Sequence, residues 1–447
     1  MNRKVLVAAV AAAFVAPAAF AQSSVTVGGT INILWDTVRG SGNTGGDAVG
    51  AAGTTNNSLK SHDRVRDGAG SNIRFTVIED LGGGNSAFVQ VESAVIQNSD
   101  QRGDLLNQVG AGLGGAVPTG NNNAIWGNRN SGVGIRSKAA GRFLIGVWDV
   151  HYHEHYTTDP AWIPGNSAWS TLALTQNMGS GFNINPAFGG RLSNVIRWDS
   201  PNWSGFSMAV TYARPSDGAP QNLGNNVGDV RDGKKNRNWS FSPRYERGGL
   251  SVVYSYMQDK DAVTQGTLSF AGGNLLAAAT VSAAWKITSN RLGVRYKFAM
   301  GLGIGALWDV GKVSNTTSVA GASIGIKRTV WAFPISYDTG NHHVMATWAR
   351  ARDWQGQIGG VGLGAVTNAN AIGAQAPGTL NFGSNTGASF FSLGYMYNLS
   401  QRTNVSVGYA RTRNDALVRY DQFANSTGNN AVGTDPRSFS VGLRHTF

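Results

Sequence analysis

The chain of 447 residues carries 37 Lys and Arg against 25 Asp and Glu, a formal charge of +12. Only 14% of residues are charged, which is sparse for a soluble surface, and 61 glycines beside 12 prolines fit neither a collagen repeat nor a proline-rich disordered chain. With no cysteine, a disulfide framework, a thiolate nucleophile and every Cys-ligated zinc or iron-sulfur site are excluded.

Asn2, Arg3 and Lys4 open the chain as a short positive region, Val5 to Ala19 is an apolar run interrupted by Pro17, and Ala19-Phe20-Ala21 is a small-x-small cleavage site before Gln22. Residues 1–21 therefore read as a secretory signal peptide, too short for a spanning anchor. No later run of about 20 apolar residues could make a spanning helix. Residues 22–447 are then an exported soluble protein or a membrane protein of the other kind, a closed β-barrel.

Period-two alternation begins at once. Val25, Val27, Ile31, Ile33 and Trp35 share one parity, and Thr26, Thr30, Asn32 and Asp36 the other. Phe75 and Val77 then oppose Arg74 and Thr76, Val89 and Val91 oppose Gln90 and Glu92, and Val133 and Ile135 oppose Gly134 and Arg136. Phe143, Ile145 and Val147 oppose Arg142, Gly146 and an exceptional Trp148; Ile196 and Trp198 oppose Arg197 and Asp199. The second half continues through Tyr254 and Tyr256, Val294 and Tyr296, Phe391 and Leu393, Val405 and Tyr409, to Phe439, Val441, Leu443 and Phe447.

Spacers alternate in length. Short ones such as EDLGGG after Ile78, SKAAG after Arg136, ERGG after Tyr245 and DTGN after Tyr337 separate long ones at 37–69, 98–130, 151–190, 214–237, 260–289, 312–323, 354–387 and 414–436. Seven short turns and eight long loops join sixteen strands. The fold expected is all-β, a 16-stranded antiparallel transmembrane β-barrel with short periplasmic turns and long extracellular loops. A soluble β-sandwich also alternates, but it does not require short connections at one end and long ones at the other. Trp35, Trp198, Tyr212, Trp239, Tyr245, Tyr256 and Tyr337 fall near strand ends, where a barrel places its aromatic girdles.

The segments SNIRFTVIEDLGGGNSAFVQVES, RLSNVIRWDSPNWSGFSMAVTYA, YNLSQRTNVSVGYARTRND and the closing SFSVGLRHTF resemble the Gram-negative general porins of β-proteobacteria of the Burkholderia, Bordetella and Comamonas type, many of them anion-selective. The similarity covers nearly all of the mature chain. It implies a homotrimer in outer-membrane lipid and lipopolysaccharide, a third loop (151–190) folded into the lumen as a constriction, and the terminal Phe447 as the signal read by the barrel-assembly machinery. The run TVIED before the first turn and a third loop rich in His and Trp depart from the family pattern.

The basic residues Arg74, Arg136, Arg142, Arg197, Arg244, Arg295, Lys297 and Arg444 all fall on the polar parity, which faces the lumen of a barrel. On the lipid parity each would cost ~2 to 4 kcal/mol at the midplane. By resemblance Arg74, Arg142 and Arg197 match wall positions facing the constriction. The competing role for them is to pair with Glu92, Asp199 or loop acids and fix the wall. The third loop carries Trp162, Ile163, Trp169, Leu172 and Leu174, apolar groups that want cover, and folding inward would supply it. Glu154 and Asp159 would then form an acidic side across from the wall arginines. His151, His153 and His155 share one face if the strand continues, but no metal site is expected without closed geometry.

These features converge on an outer-membrane channel for passive diffusion of small hydrophilic solutes and ions, preferring anions. The alternative is a substrate-specific channel for small anions such as carboxylates or phosphate; a barrel adhesin or enzyme is the less supported class. No GxSxG elbow, HExxH helix or phosphate loop is present, so no catalytic residue and no cofactor are expected. The basic residues alternate through strands instead of forming an exposed basic tract, so no nucleic-acid partner is expected either.

Overall fold

The alternating segments pair into a single sheet that closes on itself. The computed structural model describes residues 24–42, 61–67, 70–95, 126–159, 174, 191–214, 237–260, 266–267, 280–281, 283–318, 323–359, 379–416, 418, 420–422 and 433–447. The leader expected at 1–21 lies outside the described residues. Nineteen strand segments form the sheet, and three strands are each interrupted once, which leaves sixteen barrel strands.

In chain order they are β1 (Ser24–Ser41), β2 (His62–Asp67 and Asn72–Gly82), β3 (Asn85–Ala94), β4 (Ser131–Ser137), β5 (Gly141–Asp149), β6 (Arg191–Asp199), β7 (Phe206–Ala213) and β8 (Arg237–Arg247). Then follow β9 (Leu250–Lys260), β10 (Ala283–Lys297), β11 (Leu302–Ser318), β12 (Ser323–Thr339), β13 (His342–Ala351 and Gln355–Gly359), β14 (Thr379–Phe382 and Ala388–Asn398), β15 (Thr403–Asn414) and β16 (Asp435–Thr446). Successive strands are antiparallel neighbours, and β1 closes the ring on β16 in a register running from Thr30 opposite Thr446 to Ser41 opposite Asp435. Closure removes both free edges, the condition for a sheet to stand in lipid.

The turns are short because their residues allow it. Between β2 and β3 the chain reverses through Gly82, Gly83 and Gly84 at φ +78, +60 and +80°, values glycine adopts without steric cost. All seven connections at this rim are short, while those at the other rim are mostly long. One expected long loop is not: β11 runs to Ser318 and β12 starts at Ser323, so the segment 312–323 is mostly strand. The segment 37–69 likewise contains the end of β1 and the start of β2, 260–289 contains the start of β10, and 354–387 contains the upper halves of β13 and β14. Polar, glycine-rich composition hid these extensions, because strands that rise above the lipid no longer need an apolar face.

Parity assigns the two faces. Ile33, Trp35, Ile145, Ile196 and Phe391 are exposed on the outer face, whereas Asn32, Asp36, Glu92, Arg197, Ser255 and Ser289 are buried on the inner one. Trp148 shares the inner parity of Arg142 and Leu144 and is buried there, an aromatic on the otherwise polar face; the register irregularity against β6 places its extra residue on β6 and leaves that parity unchanged. The interior is not empty. Leu174 of the third loop sits with Leu307, Val330, Ala332, Met345, Ala349, Phe390, Ala410, Val418 and Tyr420 in one apolar cluster lining β11 to β15 from inside.

Phe447 completes the ring at the short-turn rim. Its N–H donates to the Gly29 carbonyl at 3.1 Å, and the Gly29 N–H donates to the Phe447 carbonyl at 3.0 Å. The phenyl ring lies over Gly29, where a Cβ would come within 2.7 Å of it.

Candidate channel constriction

β5 ends at Asp149, and the chain turns inward through Val150 and through His151 at φ +52°, a left-handed value that costs a non-glycine residue about 1–3 kcal/mol. A 3₁₀ helix follows over His151–Thr158 and packs against the inner face of β8 to β11. The histidines therefore do not share a strand face. His151 and His155 point to the wall on one side of the helix, and His153 Nδ1 turns back to lie 2.7 Å from Asp149 Oδ1.

Two serines receive the wall-facing imidazoles. The His151 ring spans Ser255 Oγ at 2.9 Å from Nδ1 and Ser289 Oγ at 2.8 Å from Nε2, and His155 Nε2 lies 2.8 Å from Ser255 Oγ. Burial pushes His151 down to about 3, assisted by the Arg291 guanidinium and opposed by Asp309. His155 is held well below the ordinary histidine range by burial, then by Arg291. Both rings are thus neutral at pH 7, each able to donate from one nitrogen and accept at the other. Among the described residues no three His, Asp or Glu side chains form a metal-sized group.

Glu154 anchors the other side of the helix. Arg197 Nη1 donates to Glu154 Oε1 at 2.6 Å and Arg244 Nη2 to Oε2 at 3.0 Å. Arg197 also donates through Nη2 to Asp199 Oδ1 at 2.5 Å and through Nη1 to the Asp149 carbonyl at 2.9 Å, and it is buried. Glu154 is therefore in contact with the wall arginines instead of across an aqueous gap from them. Asp159, just past the helix, is also buried. Residues 160–173 and 175–190, with Trp162 and Trp169, lie outside the described residues. Leu174 is described, and its carbonyl accepts from Arg328 Nη1 at 3.1 Å, so these points of the loop lie against neighbouring stretches of the inner wall, the helix on β8 to β11 and Leu174 on β11 to β15.

The remaining arginines divide into paired and unpaired. Arg142 is bonded to Asp199 at 2.6 Å and stacks over Trp148 at 4.9 Å; Arg244 is held by Glu154, and Lys297 lies 2.7 Å from Asp338. Arg74 and Arg136 have no acidic group within 4.0 Å among the described residues, and neither do Arg295 and Arg444. With Thr26, Gly28, Thr76 and Gln90, Arg74 and Arg136 line a cavity of about 310 Å³ on the inner face of β1 to β4. Phe88 lies under the Arg136 guanidinium at 4.5 Å and orients it.

Two inner-wall clusters were not singled out in the sequence. Asp309 is fully buried between Arg291 at 3.0 Å and Arg328 at 2.8 Å, and Asp36 takes both Arg64 and Arg66. Signals existed for both. Arg291 shares the parity of Arg295 and Lys297, and Arg64-Val65-Arg66 alternates within a segment read as loop.

The sequence profile of the family described as Gram-negative porin matches residues 8–417. Among solved structures, the anion-selective porin from Comamonas acidovorans is similar at 18% identity and a TM-score of 0.61, covering 95% of this chain and 100% of that one. The outer membrane protein OmpT of Vibrio cholerae, in its trimer form, is similar at 11% identity and a TM-score of 0.55, covering 95% and 99%. The outer membrane channel DcaP of Acinetobacter baumannii is similar at 10% identity and a TM-score of 0.51, covering 95% and 97%. At these identities the structures share the fold. No curated protein matches the chain significantly.

Proposed function

The chain belongs to the Gram-negative porin family, and from that premise we propose that this outer-membrane channel passes small hydrophilic solutes with a preference for anions, set by lumenal arginines. The observation that carries the preference is the unpaired pair Arg74 and Arg136 on the water-lined inner face. A guanidinium keeps its charge at every physiological pH, and a narrowed passage strengthens its pull on an ion. Arg142 and Arg197 belong to the same constriction set with a second duty: through Asp199 and Glu154 they hold the third loop in place. In this reading Glu154 and Asp159 fix the narrow side of the passage, and Arg244, Arg295, Lys297 and Arg444 extend the positive wall above and below it.

A substrate-specific channel for small anions is favoured by one feature, the cavity of about 310 Å³ in which Arg74 and Arg136 converge with Gln90 and Thr76. A carboxylate or phosphate bound there would give a current that saturates in that anion and not in chloride. Three such barrels are proposed to form the working unit, as the trimer form of the Vibrio cholerae protein does; conductance closing in three equal steps is the expected record. Reversal potentials across a KCl gradient test the anion preference directly.

A further inference from the structure

The third loop is not alone inside the barrel. In the eighth long loop, between β15 and β16, residues 415, 416, 418, 420–422, 433 and 434 are described, and Val418, Tyr420, Asp421 and Gln422 are each at most 1% exposed. The inner wall holds them. Gln422 Nε2 donates to the Ala410 carbonyl at 3.0 Å, and Ser438 Oγ donates to Gln422 Oε1 at 2.7 Å. Asn414, at the end of β15, turns the chain inward by accepting from the Tyr420 N–H at 2.8 Å and donating to the Tyr420 carbonyl at 2.8 Å. Val418 and Tyr420 so reach the apolar cluster in which Leu174 of the third loop lies.

One guanidinium joins the two loops. Arg328 of β12 lies among Ile326, Val330 and Ala332 on the inner parity of its strand, and its side chain is fully buried. Its Nη2 donates to Asp309 Oδ1 at 2.8 Å, its Nη1 donates to the Leu174 carbonyl at 3.1 Å, and the guanidinium also hydrogen-bonds the Tyr420 hydroxyl. The hydroxyl is fixed from a second side by Trp354 Nε1, which donates to it at 3.1 Å. Trp354 sits in the interruption of β13, and its N–H donates to Thr386 Oγ1, in the interruption of β14, at 2.9 Å, so this anchor belongs to neither loop.

The chemistry of arginine makes the two contacts interdependent. A guanidinium presents five N–H donors in a rigid fork, and a buried donor left without an acceptor costs more than a satisfied one gains. Asp309 cannot satisfy the whole fork, because Arg291 takes its other oxygen at 3.0 Å. A backbone carbonyl from one loop and a hydroxyl from another complete it. If either loop left, a donor would be stranded in an apolar wall, so each docked loop favours docking of the other, by the same factor in both directions. Packing alone would need no cation, and burying one among Val330 and Ala332 is unfavourable unless it is paired.

We propose that Arg328 is a positioning residue of the channel: through the Tyr420 hydroxyl it makes the place of the third loop, and with it the width of the passage, depend on the docking of the eighth. The eighth loop starts and ends at the long-loop rim, so whatever displaces it from outside also releases the constriction loop. This latch deepens the channel reading above, and thiol labelling reads loop docking whether or not the pore prefers anions, so either can fail alone.

The chain has no cysteine, so Leu174→Cys and Val418→Cys each place a single thiol at a site that is fully buried when its loop is docked. Labelling of the full protein in detergent by a charged thiosulfonate then measures undocking. Leu174→Cys keeps the carbonyl that Arg328 holds. Tyr420→Phe keeps the ring and removes only the hydroxyl, and it should speed labelling at both positions about tenfold. Arg328→Lys keeps the charge beside Asp309 but not the fork; it should do the same, and adding Tyr420→Phe to it should bring about a twofold further change at most. Open-channel current fluctuations should rise in Tyr420→Phe, with the heat-modifiable mobility of the barrel on gels unchanged. Faster labelling at Val418 with no change at Leu174 would show that the loops dock independently and would overturn the proposal, even if Arg328→Lys failed to fold. So would unchanged labelling at both positions, an effect of Tyr420→Phe at Leu174 that is undiminished in the Arg328→Lys background, or faster labelling of both with an unaltered open-channel current.

Discussion

Gly293 of β10 presents bare backbone to Thr158 of the third loop: a Cβ at this position would overlap the Thr158 hydroxyl and come within 2.9 Å of His155 Nδ1. The loop thus lies against the wall because one wall residue has no side chain. Gly293→Ala should push the 3₁₀ helix toward the axis at a cost of about 1–3 kcal/mol in loop docking. Single-channel conductance should fall while the β-rich circular dichroism spectrum is retained. Unaltered conductance would mean that the loop does not bound the passage.

Acid should loosen the same contact. An undocked histidine titrates near its ordinary value of 6.5, whereas docked His151 is held to about 3 and His155 well below normal. Because docking favours the neutral rings, it is strongest above about pH 6.5 and weakens as pH falls toward 3, by up to about 1.4 kcal/mol per pH unit for each ring. Arg291 and Arg244 face these rings and add to the cost of protonation, while Asp309 opposes it. Current noise or closures should therefore rise between pH 6 and pH 4, and His151→Gln should blunt the rise.

Asp309 lies fully buried between two guanidiniums. Asp309→Asn would leave Arg291 and Arg328 without their common anion, a loss on the order of 3–5 kcal/mol for breaking a buried pair. The Arg328 contact to the Leu174 carbonyl should loosen with it. Thermal unfolding in detergent should begin at lower temperature than in the native protein, and limited proteolysis should reach the third loop sooner.

At the short-turn rim, Gly29→Val would place methyl groups where the Phe447 ring now lies. Fewer chains should close, giving less folded, heat-modifiable protein on refolding into detergent. The same yield as the native chain would show that the ring's seat is dispensable.

The barrel was legible because lipid outside and water inside impose period two on every spanning strand. Period alone placed Trp148 on the lumenal parity, and it is buried there; the register shift of β5 against β6 could not be read the same way. The strand ends near Ser318 and His62 were missed because they lie where neither face needs to be apolar. Parity placed Arg74, Arg142 and Arg197 on one face, but it could not separate the exposed Arg74 from Arg197, which is buried between Asp199 and Glu154. That distinction depends on where the third loop lands, and so on contacts made 43 residues away in sequence. The fit of the loop to Gly293 was equally hidden, because a glycine in a strand announces only that something comes close.

The central claim is that unpaired lumenal arginines select anions, and reversal potentials across a KCl gradient test it most directly. The native channel should favour chloride, more strongly at 0.1 M than at 1 M salt, as the Debye length contracts from about 10 Å to about 3 Å. Arg74→Gln and Arg136→Gln should each reduce the preference and together nearly abolish it. Arg142→Gln should reduce it less, since Asp199 already offsets that charge. Arg197→Gln should alter conductance more than selectivity, since it frees Glu154 and with it the loop. Cation preference in the native channel, or an anion preference indifferent to Arg74 and Arg136, would contradict the account.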